Sequence, residues 1–219
     1  MRKLGTELRE SLEQATLLYQ QSLDSLCGTR ARDYLTERGL HPELVARRYR
    51  LGYVDEPAPG HEMMKGRLSI PYLTPAGPVD IKFRCIDDHD CKAEKCPKYL
   101  GIEGGGGWLY NARAVLAAKD CVVITEGEID AMSVSAIAGI PAVGYPGTST
   151  WQKSKHWPRV FAGLDVVVVA DGDKPGRDAA RLVAKSMEGA RIAVMPEGED
   201  SNSFLTQFGP DAFRERVGL

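Results

Sequence analysis

Val166-Val-Val-Val-Ala-Asp171-Gly-Asp173-Lys-Pro175-Gly176 is the stretch from which the fold follows. Its unbroken apolar run is too short for a typical helix, ends on carboxylates and glycine, and passes into a helix-like pattern. Such a run reads as a parallel strand buried on both faces and closed by an acidic turn. A second run, Cys121-Val-Val-Ile-Thr-Glu126-Gly-Glu128-Ile-Asp130, has the same build. With the two strands side by side in one sheet, their carboxyl ends bring Glu126, Asp171 and Asp173 to one crevice, where open α/β sheets bind ligands. Crowded carboxylates must share protons or hold a cation, and hard oxygen donors suit Mg²⁺.

Working outward from these runs, residues 121–195 alternate strand and helix: helix over 129–138, strand over 141–145, a Gly-Thr-Ser-Thr loop at 147–150, strand over 165–170, helix over 175–187 and strand over 190–195. That alternation predicts a parallel sheet in a three-layer arrangement. The tail, 201–208 and 210–217, reads as helical. Upstream, residues 6–26 place Leu8, Leu12, Ala15, Tyr19, Leu23 and Leu26 on one apolar helical face. Shorter helices follow over 30–38 and 42–49, then an antiparallel hairpin over 67–73 and 79–85, a polar loop, the glycine run 104–107 and a helix over 108–118. The glycine run lacks the Lys-Ser/Thr of a phosphate-binding loop and reads as a flexible connector.

A chain of 219 residues, 43% hydrophobic and 26% charged, is ordinary for a globular protein of one domain or two small ones. Its net charge of -2 carries no global nucleic-acid signature, although bases are in slight excess over 1–119 and acids over 120–219. There is no membrane-length apolar run and no apolar leader at the start, so a cytoplasmic location is expected. Five cysteines without an export signal read as free thiols.

Three acidic elements carry the chemistry. Glu126 precedes a glycine that lets the chain turn and leave the carboxylate at the sheet's edge. Asp130, four residues on, either points back to the same site or, like Glu128, favours a helix N-terminus. Asp171 and Asp173, separated by glycine, have the reach to hold one or two ions, and paired metals about 3.5 to 4 Å apart stabilise both oxygens of a phosphoryl transfer. Asp200, in Pro196-Glu-Gly-Glu-Asp200-Ser-Asn202, either completes the constellation or caps the tail helix. Separately, Cys85, His89, Cys91 and Cys96 offer four zinc-type ligands at a spacing that fits no common finger.

The two acidic runs resemble those of the Toprim domain, the metal-binding module of bacterial primases, topoisomerases and some nucleases. The likeness continues upstream. Tyr19-Gln-Gln-Ser-Leu, Ala31-Arg-Asp-Tyr-Leu-Thr-Glu-Arg-Gly-Leu40, Leu51-Gly-Tyr, Gly66-Arg-Leu-Ser-Ile-Pro, Cys96-Pro-Lys98-Tyr-Leu, Leu109-Tyr110, Gly147-Thr-Ser and Met195-Pro-Glu-Gly-Glu-Asp200 together resemble the catalytic core of DnaG-type bacterial and phage primases. The resemblance implies an α/β fold: a Toprim domain over 120–219, with a parallel, Rossmann-like sheet between helices and a helical tail, preceded by a small mixed α+β lobe over 1–119. It implies RNA primer synthesis on single-stranded DNA from ribonucleoside triphosphates, with Glu126, Asp171 and Asp173 catalytic. Glu126, Asp130, Asp171, Asp173 and Asp200 are then the expected ligands of Mg²⁺ or Mn²⁺, with Asn202 standing where relatives often have another aspartate. Arg67, Arg84 and Lys98 are the expected phosphate and template contacts, and Tyr99 a base-stacking residue. The family's zinc-binding and helicase-binding domains have no counterpart here, so a replicative helicase and a separate zinc-binding protein are candidate partners, and no membrane is. Zn²⁺ at the cysteine cluster is not part of the family pattern. A Toprim nuclease, or a replication accessory without catalysis, are the alternative readings.

Overall fold

The computed structural model describes residues 5–219. The chain divides into two compact units within the glycine run, one through Gly106 and one from Gly107 to Leu219.

The first unit begins with α1 (Thr6–Asp24), followed by α2 (Thr29–Glu37) and α3 (Pro42–Tyr49). It then forms an antiparallel sheet in the order β1 (Gly52–Tyr53), β2 (Leu68–Thr74), β3 (Gly77–Arg84) and β4 (Tyr99–Gly101). Leu12, Ala15 and Tyr19 of α1 pack with Ile81 and Phe83 of β3, Val54 and Met64. Each such buried aliphatic side chain is worth about 1.5–3 kcal/mol. Two residues expected on this apolar face lie off it: Leu8 is 42% exposed and Leu26 is 91% exposed. Leu26 falls outside the helix because α1 stops at Asp24 and the chain tightens into a 3-10 turn, where a Cβ on Gly28 would stand 2.2 Å from the Leu23 carbonyl oxygen. Arg50, in the left-handed region at φ 54°, ends α3 and grips Glu13 of α1 with two hydrogen bonds of 2.9 and 2.7 Å.

Tyr19 is fully buried, and its hydroxyl lies 2.7 Å from His61 Nδ1 while accepting from the Ala58 amide. Burial holds the His61 imidazole below its ordinary value of 6.5. A base depressed on folding is protonated more readily in the unfolded chain, so its contribution is complete above the unfolded value and is lost as the pH falls through and below it. The melting temperature is therefore expected to drop on acidification below pH 6.5, and to drop less in His61→Gln. Equal slopes in the two proteins would remove His61 from the account.

The second unit opens with a short helix, α4 (Arg113–Ala117), rather than the helix expected from residue 108. Tyr110 exchanges backbone hydrogen bonds of 2.8 and 3.2 Å with Gly144, and Asn111 stands at φ 53°, its buried amide donating to the Ala142 carbonyl. These contacts commit residues 110–111 to the parallel sheet, so they belong with the second unit and not with the lobe expected to run to residue 119. The sheet strands are β5 (Cys121–Thr125), β6 (Ala142–Gly144), β7 (Asp165–Ala170) and β8 (Arg191–Val194), in the order β6-β5-β7-β8 and all parallel. On one face, Val122, Ile124, Val166 and Val168 pack against α4, Trp151 of α6 (Thr148–Lys153) and Ala180 and Val183 of α7 (Lys174–Ala184). On the other, Val123, Val167 and Val169 meet Val134 of α5 (Glu128–Ala136) and Phe204, Leu205 and Phe213 of α8 (Ser201–Val217). Burial on both faces is why these strands lack polar alternation. The tail is one element interrupted at Gly209, φ 82°, before Pro210. No helix among the described residues is long and apolar enough to cross a membrane.

Candidate functional site

From β5 the chain leaves toward β6 on one side, and from β7 it leaves toward β8 on the other. The strand order therefore reverses between β5 and β7, which opens a crevice at their carboxyl ends. Glu126 directly follows β5 and Asp171 directly follows β7. Glu126 is exposed, Asp171 half-buried and Asp173 exposed.

Asp173 acts on Glu126, and Glu126 and Asp171 both act on Tyr145. Partial desolvation, and then the Asp173 charge, hold Glu126 above its ordinary value. Tyr145, at the end of β6 and 1% exposed, has its phenol pushed well above the usual range by burial, and further by Glu126 and Asp171. The structure thus brings Glu126, Asp171 and Asp173 into one field of like charge. They do not converge on a point: among the described residues, the one group of three or more acidic, cysteine or histidine side chains with ligand atoms within 4.8 Å of one another lies elsewhere, at Cys85. Hard donors set apart, with Glu126 held back from ionising by desolvation and the Asp173 charge, fit divalent cations that retain water.

Close backbone contacts hold the turns that present them. A Cβ on Gly144 would stand 2.8 Å from the Gly127 oxygen, and one on Gly127 would stand 2.7 Å from Asp130 Oδ2. Gly172 donates its amide to the Glu199 carbonyl at 2.9 Å, and a Cβ there would fall 1.7 Å from the Pro196 oxygen. The turn after β7 and the loop after β8 are thereby joined. Arg177 of α7 adds a hydrogen bond of 2.5 Å to the Gly172 carbonyl.

The remaining acidic candidates have structural duties. Asp173 is also the N-cap of α7, accepting from the Gly176 amide at 2.7 Å. Asp200 caps α8 in a reciprocal box with Ser203, at 2.7 and 2.9 Å. Asp130 is 9% exposed and accepts from the Asn202 amide at 3.0 Å. Asn202, 3% exposed, gives its side-chain amide to Ser133 Oγ at 2.8 Å. Asp130, Asn202 and Ser133 together seat the start of α8 on α5. Tyr145 is the neighbour that the sequence reading missed. The signal was its place at the end of the strand beside β5, since strand ends on one side of a parallel sheet share one crevice.

In the first unit, Arg67 is 9% exposed, and its guanidinium is bound to the Pro97 carbonyl at 2.8 Å and to Cys96 Sγ at 3.4 Å. Arg84 is 8% exposed, donates to the Tyr99 hydroxyl at 2.5 Å and lies over the rings of Tyr34 and Tyr99, 5.5 and 5.1 Å from their centroids. Lys98 is exposed and, with Arg84, Arg38 and Tyr34, borders a cavity of about 560 Å³. Asp87 and Asp90 also line it, so cations exceed acids there, and such an excess beside an aromatic wall suits a phosphate or nucleotide.

A Toprim domain is matched over residues 121–211. The chain is 40% identical over 161 residues to the gene 57 protein of Mycobacterium phage D29, covering 71% of this chain and 100% of that one. It is 24% identical over 251 residues to the DNA primase of Haemophilus influenzae, covering 96% of this chain and 41% of that protein. The chain therefore spans about two fifths of the length of the curated primases it matches. Among solved structures, a DNA primase domain from Pseudomonas aeruginosa superposes with a TM-score of 0.77 at 25% identity, covering 96% of this chain and 78% of that one. A DnaG primase catalytic domain bound to single-stranded DNA superposes with a TM-score of 0.74 at 25% identity, covering 98% and 82%.

Proposed function

Because the chain belongs to the DnaG-type primases, whose catalytic core carries a Toprim domain, we propose that it joins ribonucleoside triphosphates into a short RNA primer on single-stranded DNA. The observation that carries this reading is the common field of Glu126, Asp171 and Asp173 at the switch point between β5 and β7. Bound divalent cations, Mg²⁺ or Mn²⁺, would offset charge on the attacking 3′-hydroxyl and on the triphosphate.

The chain's own residues position the reactants. Asp171 and Asp173 sit on a turn fixed at both ends, by the Gly172–Glu199 hydrogen bond and by the N-cap of α7, so the ligand oxygens need little reorganisation. Glu126 faces them from the neighbouring strand. Tyr145 remains protonated under the carboxylates, a neutral phenol that adds no further negative charge. Lys98, exposed at the cavity, is the basic group we assign to phosphate or template, with Arg84, held by Tyr99, setting the positive potential behind it. Arg67 is assigned instead to holding the loop that carries Lys98, since its guanidinium is already bound there. A helicase remains the candidate partner in replication.

The decisive measurement is incubation with single-stranded DNA, labelled ribonucleotides and Mg²⁺ or Mn²⁺. Short RNA products that vanish with EDTA are expected. Cleavage of DNA in metal without nucleotides, and no RNA, would replace this reading with the nuclease one.

A further inference from the structure

The connection from β3 to β4 covers residues 85–98, whereas neighbouring antiparallel strands are ordinarily joined by about two to five residues. None of residues 87–95 is buried, so this excursion has no apolar core of its own. Its shape is nonetheless specific. Asp90 Oδ1 accepts from the amides of Lys92 and Ala93, Lys95 adopts φ 52°, and the Cys96 amide donates to the Cys91 carbonyl at 2.8 Å. The product of this turn is two cysteines held side by side.

Cys85, His89, Cys91 and Cys96 each offer a ligand atom, and the four atoms lie within 4.8 Å of one another. Cys85 Sγ is 3.7 Å from Cys96 Sγ and 3.7 Å from His89 Nε2, and Cys91 Sγ is 3.5 Å from His89 Nε2. Tetrahedral zinc, with Zn–S about 2.3 Å and Zn–N about 2.0–2.1 Å, sets its ligands roughly 3.5 to 3.8 Å apart. Three edges of the set already have that length. Arg67 Nη2 stands 3.4 Å from Cys96 Sγ, placing a cation where three thiolates and one imidazole around Zn²⁺ would leave a net negative charge.

We propose that Cys85, His89, Cys91 and Cys96 bind one structural Zn²⁺ that closes the β3–β4 excursion. The site shares no residue with the carboxylates of the parallel sheet. Four protein ligands leave no open position, so the ion orders the loop rather than reacting. The segment it orders includes Lys98 and the wall of the basic cavity beside Arg84. A disulfide would be the competing use of these thiols, but all five cysteines are free and a Cys85–Cys96 bond would leave Cys91 and His89 without a role.

The test is elemental analysis of the protein purified in a phosphine reductant without added zinc. About one zinc per chain is expected, falling to less than about a tenth in Cys91→Ser/Cys96→Ser and staying near one in Cys27→Ser and Cys121→Ser. Replacement of Zn²⁺ by Co²⁺ is expected to produce thiolate-to-cobalt charge-transfer absorption and tetrahedral visible bands in the parent protein, a readout that does not require the variant to fold. A folded parent protein with neither zinc nor these cobalt bands overturns the proposal, as does full zinc occupancy in the double variant.

Discussion

Asp171→Asn is expected to reduce primer synthesis by roughly two to three orders of magnitude while the protein melts no lower than its parent. Asparagine keeps the shape of the side chain and removes its charge. Without metal, Glu126 is already held above its ordinary value by desolvation and by the Asp173 charge, and Asp171 bears on Tyr145 beside it. Removing one anion from such a group relieves repulsion in the metal-free protein. The variant should therefore match or exceed the parent's melting temperature in EDTA, yet lose the parent's gain in melting temperature on addition of Mg²⁺. Glu126→Gln is expected to behave likewise from the neighbouring strand. An Asp171→Asn protein that makes primers at the parental rate would end the assignment, and a folded but inactive one with an unchanged Mg²⁺ response would move metal binding elsewhere.

Gly172→Ala is expected to cost on the order of 3 kcal/mol of stability and to lower the melting temperature by roughly 6 to 12 °C. The added methyl would fall 1.7 Å from the Pro196 oxygen and 2.9 Å from the Glu197 Cα, both backbone atoms. The Gly172–Glu199 hydrogen bond joins those same two segments, so one has to leave the other. Asp171 and Asp173 on one side and Asp200 on the other would shift with them, and activity should fall together with stability. Gly101→Ala is the control: a Cβ there meets nothing within 4 Å, and its effect should stay within about 0.5 kcal/mol. A Gly172→Ala protein as stable as the control would show that the approach of the two turns is not needed.

The parallel sheet was legible because β5 and β7 are buried on both faces, and only an uninterrupted apolar run satisfies two hydrophobic layers. The acidic crevice was legible for the related reason that carboxylates at the ends of such runs must meet water or a cation. Other features were not legible, because they depend on partners distant in the chain. Asp130 and Asn202 read equally well as ligands, and it takes the docking of α8 on α5, 72 residues apart in sequence, to give them each other. Asp200 carried two readings, and the cap is observed. The helix expected from 108 fails at Asn111, whose amide reaches Ala142, a contact that local propensity cannot encode. Arg67 and Arg84 were expected as phosphate and template contacts, and no local pattern showed that both are largely buried against the loop and rings of their own unit.

The pairing of β5 with β7 sets Cys121 opposite Asp165, with the whole of α5, β6 and α6 between them. On a translating ribosome this sheet gains its central pair late, and the cover of Val167 and Val169, begun by Val134, is completed only when Phe204, Leu205 and Phe213 have been made. At about 5–20 residues per second, that leaves the nascent valine face open for roughly 2 to 10 s. During that interval a neighbouring unfinished chain is a competing partner for the same strand, so slowed elongation past residue 170 should increase the aggregated fraction of newly made protein.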